Sequence, residues 1–215
     1  MTIRPGEEWG APGPLAADAP LAADDRAARE HLQRRLEELG AELERPGAFG
    51  ELGLLGGDLH RTLGSPAHDA RDLRAGRGTR FPVDLGVARV GERDLVFLSH
   101  LVAHPGPRVR WWSRRTVAVV NGSYVGELDL GPRAHPNDGR LDLTDGQLPL
   151  GQRRQGRRRA LSGSHVPHPD LTTRRSAHFE VHHDTPLHLW LDGELVGAAT
   201  DVQIRCLPDA LVVVA

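Results

Sequence analysis

From Phe81 onward the chain is cut into short aliphatic and β-branched runs by Gly, Asn, Asp and Pro, and this punctuation restricts the possible folds more than any other feature. Phe81 to Val90 and Asp94 to Ala103 flank Gly91-Glu92, which predicts a hairpin, and Thr116 to Val120 continues the β-branched pattern. Further strands are expected at Tyr124 to Leu130, Leu141 to Leu143, His178 to His183, Leu187 to Leu191, Val202 to Leu207 and Leu211 to Val214. Their spacing argues for a β-sandwich or a strongly bent sheet over 81–215.

The upstream texture is different. Residues 1–23 are rich in Pro, Ala and Gly without a period, which predicts an extended or disordered arm. Between Asp24 and Glu44 the apolar residues Ala28, Leu32, Leu36, Leu39 and Leu43 recur at three and four, with Asp24 or Asp25 placed to cap, so one amphipathic helix is expected. Glu51 to Gly64 reads as a short apolar run feeding a loop and a helical turn, and Ser65 to Arg80 as a polar linker. The expected class is α+β and mostly β: an arm at 1–23, a helical piece with a linker at 24–80, and a β domain at 81–215.

The balance of 27 basic and 29 acidic residues, a formal net charge of −2, excludes nucleic-acid binding by bulk electrostatics. Every basic residue other than histidine is arginine, which excludes a Schiff-base lysine and a phosphate-loop lysine. The lone Cys206 lies in an apolar run and reads as a small buried hydrophobe. With Glu7, Glu8 and several prolines the N-terminal region is unlike a signal peptide, and no run has the length of a membrane span, so a soluble cytoplasmic protein is expected.

Four groups of residues have chemical potential. Leu191-Asp192-Gly193-Glu194 follows an alternating run and fits a type I′ hairpin turn, which would also hold a carboxylate rigidly at a sheet edge. Asn137-Asp138-Gly139 after Pro136 fits a turn, and its oxygens suit a hard cation such as Mg²⁺. At Gln152 to Leu161 the strand texture stops, predicting a short edge helix; its Arg153, Arg154, Arg157, Arg158 and Arg159 form either a solvated face or a local patch for phosphate or an anionic membrane. His165, His168, His182 and His183 lack a supporting spacing for zinc, and without a Gly-x-Ser-x-Gly elbow a hydrolase triad is set aside.

Taken in order, these pieces resemble the C-terminal half of the diacylglycerol and sphingosine kinase-like lipid kinases, over about residues 51–215. Val83-Asp84-Leu85-Gly86 is similar to the family's first strand after its linker, Val120-Asn121-Gly122 to the strand that reaches the cleft, and Pro132 to Asp142 to its Pro-x-Ala-x-x-x-Asp-Gly-x-Leu-Asp motif. Gly163-Ser164-His165 resembles its Gly-x-His, and Leu191-Asp192-Gly193-Glu194 its Asp-Gly-Glu.

The resemblance implies a lipid-kinase-type β-sandwich that phosphorylates a lipid hydroxyl with ATP and Mg²⁺. Asp192 would be the base and Glu194 part of a water-linked Mg²⁺ network, while Asp138 with the carbonyls of His135 and Arg140 would hold a structural Mg²⁺. Gly56-Gly57-Asp58 looks like the phosphate loop, but Leu59 and His60 replace its last Gly and Thr. A better register compares Leu54 to Gly64 with the family's second nucleotide motif, which implies a helical remnant of the nucleotide domain without the loop proper. Three functional classes follow: a kinase of reduced or lost activity, a non-catalytic module for a lipid or phosphorylated small molecule, and a subunit that completes an ATP site with a partner chain. A face exposed by the missing domain would favour oligomers.

Overall fold

In the computed structural model, which describes residues 9–66 and 68–215, the punctuated runs form strands of an 11-stranded sheet, except Tyr124 to Leu130, which turns back on itself as a separate two-stranded sheet where one strand was expected. The first eight residues of the expected arm, and Ala67 of the expected linker, lie outside the described residues. The upstream elements are β1 (Ala11–Pro12), β2 (Leu21–Ala22), α1 (Asp25–Leu39) with a 3-10 turn over Gly40–Glu44, β3 (Glu51–Leu54), α2 (Asp58–Leu63) and α3 (Ala70–Arg74). The sheet continues with β4 (Thr79–Val90), β5 (Arg93–Phe97), β6 (His100–His104) and β7 (Thr116–Val120). The small hairpin β8 (Tyr124–Val125) and β9 (Leu128–Asp129) precedes β10 (Leu141–Gly146), α4 (Arg153–Ala160), β11 (Leu171–Ser176), β12 (His178–Leu191) and β13 (Glu194–Val214).

The sheet order is β1-β4-β13-β12-β6-β7-β10-β11, with β5 against β4 and the parallel set β2-β3 against β13. β13 is therefore central, pairing antiparallel with β12 and β4 and parallel with β3. Register shifts between His182 and Leu187 in β12, and between Leu207 and Leu211 in β13, mark bulges that bend the long strands. These bulges lie where the sequence pattern suggested two separate strands. The architecture is α+β and mostly β, as expected.

Burial on both faces explains the near-continuous apolar runs. In β6 and β7, Leu101, Ala103, Val117 and Val119 pack in the main sheet core, while Val102, Ala118 and Val120 face a second core around Trp112 and α4. A third core joins Ala28, Leu32, Leu36 and Leu39 of α1 to Val83, Leu85, Leu211 and Val213. Burying each of these leucines and valines contributes about 1.5 to 3 kcal/mol.

Two upstream segments differ from expectation. Residues 9–23 lie against the domain: Trp9 packs on Phe81 with ring centroids 4.9 Å apart, β1 pairs with β4, and β2 pairs in parallel with β3. Two-residue strands are too short to show a period, which is why composition alone suggested an arm. β2, α1 and β3 together make a βαβ unit, although the sequence suggested only a helix. Within the expected linker, Asp69 caps α3 through a capping box and Leu73 is buried.

Candidate functional site

The turn between β12 and β13 places both central residues at positive φ, Asp192 at 48° and Gly193 at 81°, as a type I′ connection requires. The same turn holds a buried acid. Asp192 is 5% exposed, its Oδ2 accepts the Leu98 N–H at 2.7 Å, and its Oδ1 accepts those of Ser99 at 2.8 Å and His100 at 3.0 Å. Burial raises its pKa, opposed by His100 and the three backbone donors.

A second buried acid faces it. Asp24 caps α1, its Oδ1 accepting the Ala27 N–H at 2.9 Å, and the next residue, Asp25, turns its side chain towards the start of α2. There it accepts the Asp58 N–H at 2.5 Å and the Leu59 N–H at 3.2 Å. A Cβ on Gly57, whose φ is 101°, would stand 2.7 Å from the Asp25 Cγ, so only glycine admits this approach. Burial first, and the charge of Asp192 second, push the Asp25 carboxyl up to about 8.

The remaining groups are held by specific partners. Asp58 accepts the Gly126 N–H at 2.8 Å and lies 3.5 Å from His100 Nδ1. Glu194 is paired directly with the buried guanidinium of Arg29, with Arg26 at 3.7 Å. α2 is clamped over the β7–β8 turn: Arg61 stacks 3.7 Å from the Tyr124 ring centroid, and Thr62 Oγ1 accepts the Ser123 N–H at 3.1 Å. Asn121 is buried there and donates to the carbonyls of Asp84 at 2.7 Å and Leu98 at 3.0 Å. Thus Asp192, Glu194, Asp58 and Asn121 meet at one end of the sheet, with Gly56 and Gly57 leading into α2.

The Asn137-Asp138-Gly139 turn is tied down elsewhere. The buried Asp84 carboxylate accepts the Gly139 N–H at 2.7 Å and the Asp209 N–H at 2.8 Å, and Asn137 donates to Asp209 at 2.9 Å. Asp138 Oδ1 accepts the Arg140 N–H at 3.0 Å, and its Oδ2 is ion-paired with Arg175, which also lies 3.4 Å from Asp142. His135 Nδ1 accepts the Asn137 N–H at 3.2 Å, and its ring packs 4.5 Å from that of Trp9. Arg175 thus supplies a positive charge beside Asp138, where the resemblance implied a cation. Among the described residues no group of three His, Cys, Asp or Glu could hold a metal.

The histidines do not converge. His165 is buried against Trp112 at 5.5 Å, burial lowering its pKa to about 4, while His168 accepts the Asp170 N–H at 3.1 Å and His182 contacts Asp201 at 2.7 Å. Arg153 to Arg159 lie on α4, which packs on the core around Trp112.

Residues 102–215 match the family described as the YegS C-terminal NAD kinase beta sandwich-like domain. The chain belongs to that family. Two solved structures from Bacillus anthracis str. Sterne resemble this member. One, titled a candidate diacylglycerol kinase, aligns with a TM-score of 0.66 at 15% identity, covering 90% of this chain and 76% of its own. Another, titled a diacylglycerol kinase, gives 0.57 at 17% identity, covering 76% of this chain and 68% of its own. At these identities the likeness is one of fold. No curated protein matches this family member.

Sequence reasoning missed Asp25, Arg29 and His100 as parts of the site. Ser99-His100 interrupts the apolar run from Leu95 to Ala103, which signalled the break between β5 and β6 that cradles Asp192. Asp25 could not be told from a second capping residue.

Proposed function

We propose that this protein is a lipid-kinase-type domain that keeps the acceptor side of the cleft, while its own side chains fill the phosphate side, so that it does not by itself phosphorylate a lipid hydroxyl. The carrying observation is the Asp25 carboxyl seated on the N–H groups of Asp58 and Leu59. Phosphoryl transfer relies on such donors, together with cationic groups, to neutralise the transferring phosphate. Here those donors are used by a neighbouring acid, and Asp24, Asp58 and Asp192 add no positive charge. Arg26 and Arg29 are engaged by Glu194. In this reading Asp192 would be the residue facing an acceptor hydroxyl, yet both its oxygens accept backbone donors.

The test is transfer of labelled γ-phosphate from Mg-ATP to diacylglycerols and long-chain bases in mixed micelles, with Asp192→Asn run alongside. The expected result is no label in lipid above the Asp192→Asn background. Label that appears with the wild type and vanishes in the variant would overturn the reading and make Asp192 a working base.

A further inference from the structure

Residues 147–169 contain five arginines and no acidic residue, although the whole chain carries more acid than base. α4 sits in this segment. Its inner stripe, Gly156 and Ala160, is buried against Leu148 and Trp112; a Cβ on Gly156 would stand 2.4 Å from the Leu148 Cδ1, so the helix lies as close to the domain as a backbone can. Arg154, Arg157, Arg158 and Arg159 are exposed, and among the described residues none forms an ion pair. Arg89, Arg115 and Arg175 each hold a carboxylate, while the exposed Arg108, Arg110 and Arg114 likewise form no ion pair among the described residues.

The apolar side chains at the two ends of α4 are as unusual as its charge. Leu150, in the preceding turn, is 78% exposed, and Leu161, just past the last turn, is 50% exposed. They are two of the three large apolar side chains exposed among the described residues, so they are concentrated on this element. Arginines without counter-charges attract any polyanion. Leucines bracketing them add nothing to phosphodiester binding in solution, but they gain by entering the acyl boundary of a bilayer.

We infer that α4 and its flanking leucines form a docking surface for an anionic phospholipid membrane. The arginines meet the headgroups and Leu150 and Leu161 insert beside them. This surface shares no residue with the Asp192 site, and the inference does not depend on whether phosphate is transferred.

The experiment is cosedimentation of the full chain with vesicles of phosphatidylglycerol and phosphatidylcholine, against phosphatidylcholine alone, with a fluorescent single-stranded oligonucleotide as the competing polyanion. Binding is expected on the anionic vesicles only, and to weaken in high salt. Arg154→Gln/Arg157→Gln/Arg158→Gln should reduce partitioning roughly 100-fold, since each basic residue near the surface contributes several-fold. Leu150→Ser/Leu161→Ser, which keeps every charge, should reduce it at least roughly tenfold. Equal binding to both vesicle types overturns the proposal. So does unchanged vesicle binding in the leucine variant together with tight oligonucleotide binding, which would make the patch a general polyanion surface.

Discussion

Asp25 experiences the charge of Asp192 across the junction of α1 and the β12–β13 turn, and with burial this keeps its carboxyl protonated to about pH 8. A raised folded-state pKa means that the folded chain binds more protons than the unfolded one, so stability is lost as pH rises. The histidines with lowered pKa, His60, His104, His135 and His165, act in the opposite sense, and their effect is nearly complete about one pH unit above their ordinary value of 6.5. Urea unfolding between pH 7.5 and 9, where the histidines no longer titrate, should therefore show stability falling by about 1 kcal/mol. Asp25→Asn should flatten that dependence.

Asp192 satisfies three buried backbone donors from a left-handed conformation. Asn adopts that conformation readily and keeps one carbonyl acceptor, whereas Ala does neither well. Asp192→Ala is expected to cost about 3 kcal/mol or more in unfolding free energy, because buried N–H groups lose their partners. Asp192→Asn should cost less than half as much, which is why it serves as the control in the transfer assay. Equal losses in the two variants would show that the cradle around the carboxylate contributes little.

The Asp138–Arg175 ion pair predicts indifference to divalent metal. Thermal unfolding with Mg²⁺ in excess and with EDTA should give the same midpoint. Arg175→Gln removes the internal cation from Asp138 and Asp142, whose carboxyl burial already raises to about 6, and should lower the midpoint by several degrees. A stabilising shift with Mg²⁺ in the wild type would contradict this arrangement.

Gly86 and Phe97 are cross-strand partners in β4 and β5, and a Cβ on Gly86 would stand 2.0 Å from the Phe97 ring. Gly86→Ala should destabilise by roughly 3 kcal/mol, since a packed ring must be displaced. Gly86→Ala/Phe97→Leu should recover part of that loss. The non-additivity in a double-mutant cycle reads the coupling directly.

Most of the sheet was legible because its strands alternate or are wholly apolar and end at Gly, Asn, Asp or Pro. β11 was not, since Leu171 is its only buried residue and its other positions are polar. The two acidic turns were legible as turns, and Asp192 as a rigidly held carboxylate. What the spacing could not contain was tertiary: Asp25 reaching from α1 to α2, Arg175 arriving at Asp138 from β11, and Arg29 engaging Glu194. Each is a charged pair or hydrogen bond between segments whose local patterns carry no trace of one another.

The central place of β13 has a kinetic consequence. Asp84 and Asp209 are hydrogen-bonded at a separation of 125 residues, and β13 must meet β3, β4 and β12 before the sheet exists. Contacts so distant along the chain are reached only after most of the loop-closure entropy has been lost, which slows folding. Diluted from denaturant, the chain should gain the helicity of α1 early and the sheet late. The acid pocket between α1 and the β12–β13 turn would then be among the last parts to assemble.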